Sequence, residues 1–227
     1  MASFCQLLEK RYRDKLDDRG VQYIDFAVDG AKRMQVLIND LLAFSRAGRS
    51  AEELGPVDCD AALATATANL STQIAEAGAV IEAGPLPVVR GQLTLMSVVF
   101  QNLLGNALKF KGEQPPRIVI TAEPDGAFWS FSVTDNGIGI EPQYADRVFL
   151  IFQRLHERAA YPGTGIGLSM CRKIVEYFGG RIWLDTGVAE GARFRFTVPA
   201  LSADEKDKPT GPNEADDANE PSKGTDG

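Results

Sequence analysis

Asp135-Asn136-Gly137-Ile138-Gly139-Ile140 sets a carboxylate ahead of two alternating glycines, a pattern that lets a ligand approach bare backbone. A hairpin leads into it. Arg117 to Glu123 reads as a strand, Pro124-Asp125-Gly126 as a turn, and Trp129, Phe131 and Val133 alternate along the return strand. Asp135 therefore sits where a buried strand ends. Gly137 and Gly139 have no Cβ and can admit a flat ring that a larger side chain would exclude. Alone, such a hexapeptide also fits an ordinary strand-to-loop turn, so the choice rests on two further stretches.

Upstream, Asn102-Leu103-Leu104-Gly105-Asn106-Ala107-Leu108-Lys109-Phe110 spaces its polar residues by four and three, which puts Asn102, Asn106 and Lys109 on one helix face. An amide oxygen is a hard ligand suited to Mg²⁺, and a lysine is a point charge suited to phosphate. The same spacing also suits a solvated stripe on an amphipathic helix. Downstream, Gly163-Thr164-Gly165-Ile166-Gly167-Leu168 opens the apolar run Ile166, Met170, Ile174, Val175, Phe178. Glycines entering a helix leave N–H groups aimed at an anion; a flexible linker is the alternative.

In this order the three stretches resemble the N, G1 and G2 boxes of the Bergerat-fold ATPases and kinases, which include gyrase B, Hsp90, MutL and the histidine kinases. Phe149 and Phe152 lie where histidine kinases carry an F box. The resemblance implies an α/β fold, a two-layer α/β sandwich, with ATP and Mg²⁺ as cofactors. It implies that Asp135 receives the adenine amino group, with Gly137 and Gly139 beside it and Phe110 stacking near the ring. Asn106 would hold Mg²⁺, while Lys109 and the loop of Gly163, Thr164, Gly165, Gly167 and Leu168 would take the phosphates. Asn102, Lys109 and Arg154 are the residues it assigns to phosphoryl transfer.

The composition sets bounds on the rest. The chain has 227 residues, 44% hydrophobic and 24% charged, enough for one good core with an appendage at each end. Its net charge is −7, but residues 201–227 hold eight acids and three bases, so the remainder carries only −2. No basic stripe supports a nucleic-acid surface. Cys5, Cys59 and Cys171 are odd in number and widely spaced, which supports neither a disulfide framework nor a zinc site and fits a reducing cytoplasm. No leader pattern opens the chain, and no apolar run approaches the ~20 residues of a membrane helix.

In chain order, residues 3 to about 16 read as a short helical piece, and Val21 to Arg46 as a longer helix with Ile24, Ala27, Ala31, Met34, Ile38 and Leu41 at heptad positions. Such a seam calls for partner helices. An α-helical hairpin over residues 1–50 that forms a dimeric four-helix bundle through residues 21–46 supplies them; packing on the chain's own catalytic domain is the alternative. Ala47-Gly48-Arg49-Ser50 reads as a linker. A catalytic domain spans residues 55–200. Asp58 and Asp60 are candidate caps for a helix to about Ala77, and a short strand and loop cover Gly78 to Val89. Pro142 to Gly163 lacks a clean period, which suggests a mobile cover over the nucleotide or a static surface loop. A helix to Phe178 and strands at Arg181 to Asp185 and Arg193 to Val198 complete the sandwich. The tail, 201–227, is acidic and reads as disordered.

One position separates the branches of the superfamily. Relatives that hydrolyse ATP or phosphorylate serine carry a glutamate base four residues before the metal-binding asparagine; here Asn102 stands, and an amide accepts no proton near neutral pH. A histidine acceptor needs that base less, since neutral imidazole already offers a lone pair. The run Phe152-Gln153-Arg154-Leu155-His156, continued by Tyr161-Pro162-Gly163-Thr164-Gly165-Ile166-Gly167-Leu168, resembles the lid of phytochrome-type bacterial sensor histidine kinases. Tyr23-Ile24-Asp25-Phe26-Ala27-Val28-Asp29-Gly30-Ala31 and Leu41-Leu42-Ala43-Phe44-Ser45-Arg46 resemble their dimerisation and phosphotransfer helices.

Three departures stand out. Gly91-Gln92 replaces the usual Gly-Asp, and Ala192-Arg193-Phe194 replaces Ser-Thr-Phe. The family's phospho-accepting histidine lies in the first helix, upstream of the part retained here, and the chain's single histidine, His156, falls in the lid. The resemblance thus implies a Met1 that is not the functional start, or an acceptor on a His-bearing partner kinase, with a response regulator as a further partner; the alternatives are a dimer-forming ATP-binding remnant that modulates a full-length kinase and a Bergerat-type ATPase, which Asn102 disfavours.

Overall fold

The computed structural model of the chain describes residues 10–12, 16–46, 54–153 and 164–202. Most of the hairpin's first arm, the linker 47–50, Arg154, His156, Gly163 and the tail from 203 lie outside the described residues. Helix α1 (Asp18–Arg46) starts before the expected Val21 because Asp17 caps it, its Oδ1 accepting from Gly20 N at 2.8 Å. Val28 and Ala31 are buried, at 2% and 6% exposed, whereas Met34, Ile38 and Leu41 stay about half exposed within the single chain. Ala27 is exposed as well, and Val28, which lies outside the expected seam, is buried. A straight helix drifts by about 20° per heptad from a 3.5-residue repeat, so one face cannot hold every a and d position.

The body follows in chain order. After β1 (Gly55–Asp58), Asp58 caps α2 (Cys59–Asn69), accepting from Asp60 N at 2.9 Å and Ala61 N at 3.2 Å. Such a cap contributes about 1 kcal/mol. Asp60, the other candidate cap, sits in the first turn and accepts from Leu86 N at 3.3 Å instead. Nor does this helix run unbroken to Ala77. Leu70 is drawn into the core and interrupts it, and α3 (Ser71–Ala77) then ends at left-handed Gly78, where Gly78 N and Ala79 N bond back to Ala75 O and Ile74 O.

Strands β2 (Val80–Ala83) and β3 (Val88–Gly91) lead into α4 (Leu93–Lys109). Gln92 makes no side-chain cap for α4, as the departure from Gly-Asp implies. Strands β4 (Arg117–Asp125) and β5 (Phe128–Asp135) follow, then 3-10 turns at Pro142–Tyr144 and Arg147–Phe149. Helix α5 (Gly167–Tyr177), β6 (Ile182–Asp185) and β7 (Arg193–Pro199) complete the body. Strands β1 and β3 pair with each other, and the other five form a sheet in the order β2-β4-β5-β7-β6. Only the β2–β4 pairing is parallel in that sheet.

The hairpin turn is tighter than expected. Asp125 pairs with Phe128 and Pro124 with Trp129, which leaves Gly126-Ala127 as a two-residue loop with Gly126 at φ 61°. Pro124 is tolerated inside β4 because β2 pairs only with residues 117–120, so no neighbour needs the missing N–H.

One face of the sheet is apolar, and α4 lies on it. Phe131 of β5 and Phe196 of β7 stack at 4.7 Å, and Phe100 of α4 meets both edge-on at 6.2 and 6.1 Å. Such pairs add about 0.5–1.5 kcal/mol each beyond the area they bury. They hold α4 over the sheet's centre, and with it the rows occupied by Asn102, Asn106 and Lys109. Among the described residues no helix is long and apolar enough to cross a membrane.

Candidate functional site

The end of β5 brings Asp135 against the start of β7. Its backbone N donates to Ala192 O at 2.9 Å, while its Oδ1 accepts from Gly137 N at 2.9 Å and from Ala192 N at 3.1 Å. Both hydrogen bonds that the described residues make to this carboxylate fall on Oδ1, which among them leaves Oδ2 open to a ligand. Burial raises the Asp135 pKa above its ordinary value, and the two backbone donors only partly offset that rise.

The glycine stretch is wedged from both sides. Ile138 N donates to Phe110 O at 3.0 Å, and a Cβ on Gly137 would collide with that same carbonyl. Gly139, at φ 74°, would set a Cβ 3.0 Å from Gly191 O. Asn136 pins the loop laterally, accepting from Arg117 N at 2.7 Å and donating to Pro115 O at 3.1 Å. The wall is therefore fixed between the C-terminus of α4 and the β6–β7 loop.

Helix α4 spans the site. At one end Phe110 meets Gly137, and Lys109 Nζ lies 4.4 Å from the Phe110 ring centroid. At the other end Asn102 Nδ2 donates to Val98 O at 2.8 Å, and its Oδ1 lies 2.6 Å from where a Cβ on Gly167 would stand. Asn106 comes between them, half-buried, and none of the described residues hydrogen-bonds to its side chain. Eight residues of helix separate the two contacts, about 12 Å. The carboxylate stands at one end and the N-terminus of α5 at the other.

The segment before α5 is clasped at its base. Phe152 N donates to Gly165 O at 3.0 Å, with Phe152 at φ 62° and Gly165 at φ 76°. A Cβ on Gly165 would stand 3.1 Å from Gln153 O. Leu168 packs half-buried against the core, and Thr164 is half-buried at the loop's end. The two F-box phenylalanines part company: Phe149 is buried edge-on to Phe194 at 6.2 Å, whereas Phe152 is 59% exposed. The cover suggested from Pro142 onward therefore does not begin there. Val148 and Phe149 anchor that part in the core.

A cleft of about 820 Å³ runs along residues 137–140 and on to Tyr144 and the β6–β7 loop. It adjoins the glycine wall without including Asn106, Lys109 or Asp135. Among the described residues no group of three or more His, Cys, Asp and Glu could hold a metal ion; the amide oxygen of Asn106 is a hard donor of the kind that fits magnesium. Sequence reasoning missed Gly191 and Ala192 as part of the site. Their signal was a glycine two residues before the last strand, and it carried no side-chain chemistry.

Residues 91–202 match the family model described as histidine kinase-, DNA gyrase B-, and HSP90-like ATPase. Cyanobacterial phytochrome A of Nostoc sp. is 49% identical over 199 residues, covering 88% of this chain and 26% of its own length. Phytochrome-like protein Cph1 of Synechocystis sp. is 43% identical over 199 residues, covering 88% of this chain and 27% of its own length. The chain thus spans about a quarter of the length of these curated relatives. Among solved structures, full-length ShkA in complex with AMPPNP aligns with a TM-score of 0.66 and 29% identity, over 88% of this chain and 42% of that one.

Proposed function

We propose, from the premise that this chain belongs to the histidine kinase-, DNA gyrase B- and HSP90-like ATPase family and within it to the phytochrome-type sensor histidine kinases, that it binds Mg-ATP and passes the γ-phosphoryl group to a histidine that this chain does not hold. The observation that carries the reading is the span of α4. It joins a half-buried carboxylate, on which the described residues' hydrogen bonds fall on Oδ1 alone, to a glycine-opened helix N-terminus, with the half-buried amide of Asn106 between them. The AMPPNP in the ShkA structure supports a nucleotide in the same fold.

Asp135 Oδ2 accepts from the adenine amino group, and Gly137 and Gly139 let the ring lie against the backbone. Asn106 would supply a ligand to Mg²⁺, which when bound would offset the charge of the polyphosphate. Lys109 and the first-turn N–H groups of α5 hold the phosphates. The γ-phosphorus then forms a bond to the acceptor imidazole nitrogen as the bond to the β–γ bridging oxygen breaks, and ADP leaves. Asn102 offers no base to water, so hydrolysis stays slow, by about 10²–10⁴-fold against a relative that has one. Incubating the chain with γ-labelled Mg-ATP and the isolated phosphotransfer helices of a phytochrome-type kinase should produce acid-labile label on histidine of those helices. Label released only as free phosphate, at the rate of a gyrase-type enzyme, overturns the kinase reading.

The exposed side of α1 carries a second proposal, that two copies pair through residues 21–46. Met34, Ile38 and Leu41 share a stripe that the chain itself leaves half open. Ile38→Asp should convert a dimer into a monomer by light scattering, because burying an unpaired carboxylate costs several kcal/mol. An unchanged mass for the variant refutes the seam. A response regulator is the onward phosphoryl acceptor that this reading implies.

A further inference from the structure

Gly165 and Gly167 are glycines for different reasons. Gly165 sits at φ 76°, where an L side chain is strained whatever the space around it. Gly167 lies outside that left-handed region and opens α5 with helical backbone that any residue adopts. What excludes a side chain at Gly167 is Asn102, whose Oδ1 lies 2.6 Å, and Cγ 3.4 Å, from the place a Cβ would take. Asn102 cannot swing aside without loss, because its Nδ2 is held at 2.8 Å by Val98 O one turn back along α4.

We propose that Asn102 is a positioning residue: its amide, locked to the α4 backbone and seated on bare Gly167, sets how close the N-terminus of α5 stands to Asn106 one turn further along. The consequence reaches the ligand. The N–H groups at the start of α5 and the amide oxygen of Asn106 must meet the same polyphosphate, so the α4–α5 spacing decides whether both can do so at once. A side chain at Gly167 moves the anion-binding end away from the metal-binding residue while the adenine end stays in place. Asn102 thus acts through Gly167. The inference rests on the nucleotide reading of the site and assigns this residue a role within it.

A double-mutant cycle tests it, with titration calorimetry of Mg-AMPPNP and competition by adenosine as the two readouts. Gly167→Ala should weaken Mg-AMPPNP roughly tenfold, as overpacking one methyl against a fixed neighbour displaces α5. Asn102→Ala alone should cost less, about threefold. Asn102→Ala combined with Gly167→Ala should recover most of the lost affinity, because the truncated side chain vacates the space the new methyl needs. Adenosine affinity should stay level across the set, which a general loss of structure would not allow. A double variant as weak as the two single effects multiplied together overturns the proposal, and so does a parallel loss of adenosine binding. Should Gly167→Ala fail to fold, the same rescue is read as recovered folding in the double variant, and its absence refutes the lock. Failure of the parent to bind Mg-AMPPNP or adenosine at all defeats the nucleotide reading, a different outcome from any of these.

Discussion

Asp135→Asn should lower the affinity for Mg-ATP by about a hundredfold while leaving the fold intact. Oδ1 already accepts from Gly137 N and Ala192 N, and an asparagine keeps both bonds only by leaving its oxygen there. Its Nδ2 then takes the place of Oδ2 and meets the adenine amino group donor to donor. A lost hydrogen bond to a charged group costs about 1.5–3 kcal/mol, and the opposed donors add to that. Calorimetry with a nonhydrolysable analogue reads the change; an affinity within threefold of the parent's would remove Asp135 from the adenine contact.

Acidification extends the same test. Burial holds the Asp135 carboxyl above its ordinary 3.8. The folded state therefore takes up a proton that the unfolded chain releases between 3.8 and the raised value, so this residue makes the unliganded fold more stable as pH falls through that window. Nucleotide affinity runs the other way, since the protonated form puts a donor where an acceptor is needed. In Asp135→Asn both contributions disappear, and comparison with the parent isolates them from every other titrating group.

Elements with a strong local period were legible in the sequence. Trp129, Phe131 and Val133 alternate as the inward face of β5, and Met170, Ile174 and Val175 pack as the buried stripe of α5, with Ile166 and Phe178 buried at its two caps. Misreadings arose where a distant contact overrode a local signal. Pro124-Asp125-Gly126 has turn composition, yet Pro124 stays in β4 because that stretch lacks a neighbour on its far side. The helix from Cys59 has no breaker at Leu70. The burial of Leu70 in the core interrupts it, and propensity cannot report that.

The site shows the same division. Asn102, Asn106 and Lys109 declare themselves by spacing, and the chemistry of Asp135 by its glycines. The partner that completes the Asp135 carboxylate stands 57 positions away and reaches its Oδ1 through a main-chain N–H. Any residue but proline has that group, so nothing in the letters at 191–192 announces it. Likewise Phe149 and Phe152 are the same residue type three apart, and only the packing of Phe149 on Phe194 decides which is core and which is surface.

Gly191 is the place where that hidden half can be struck. Its φ is 68°, and a Cβ there would collide with the Asp135 carbonyl oxygen and stand 3.0 Å from Asn136 Cα. Both obstacles are backbone, so neither can step aside without moving the strand end that carries the adenine carboxylate. Gly191→Ala should cost about 2–5 kcal/mol, combining left-handed strain of about 1–2 kcal/mol with overpacking of about 1–3. It should also abolish measurable Mg-ATP binding, as Ala192 N is levered off Asp135 Oδ1. Gly126→Ala is the matched control, since Gly126 has φ 61° but nothing within 4 Å of its Cβ position. That variant should pay the strain alone and bind nucleotide as the parent does. Urea unfolding and calorimetry on the pair separate the two effects: if Gly191→Ala loses no more stability or affinity than Gly126→Ala, the β6–β7 loop is not the wall against which Asp135 is set.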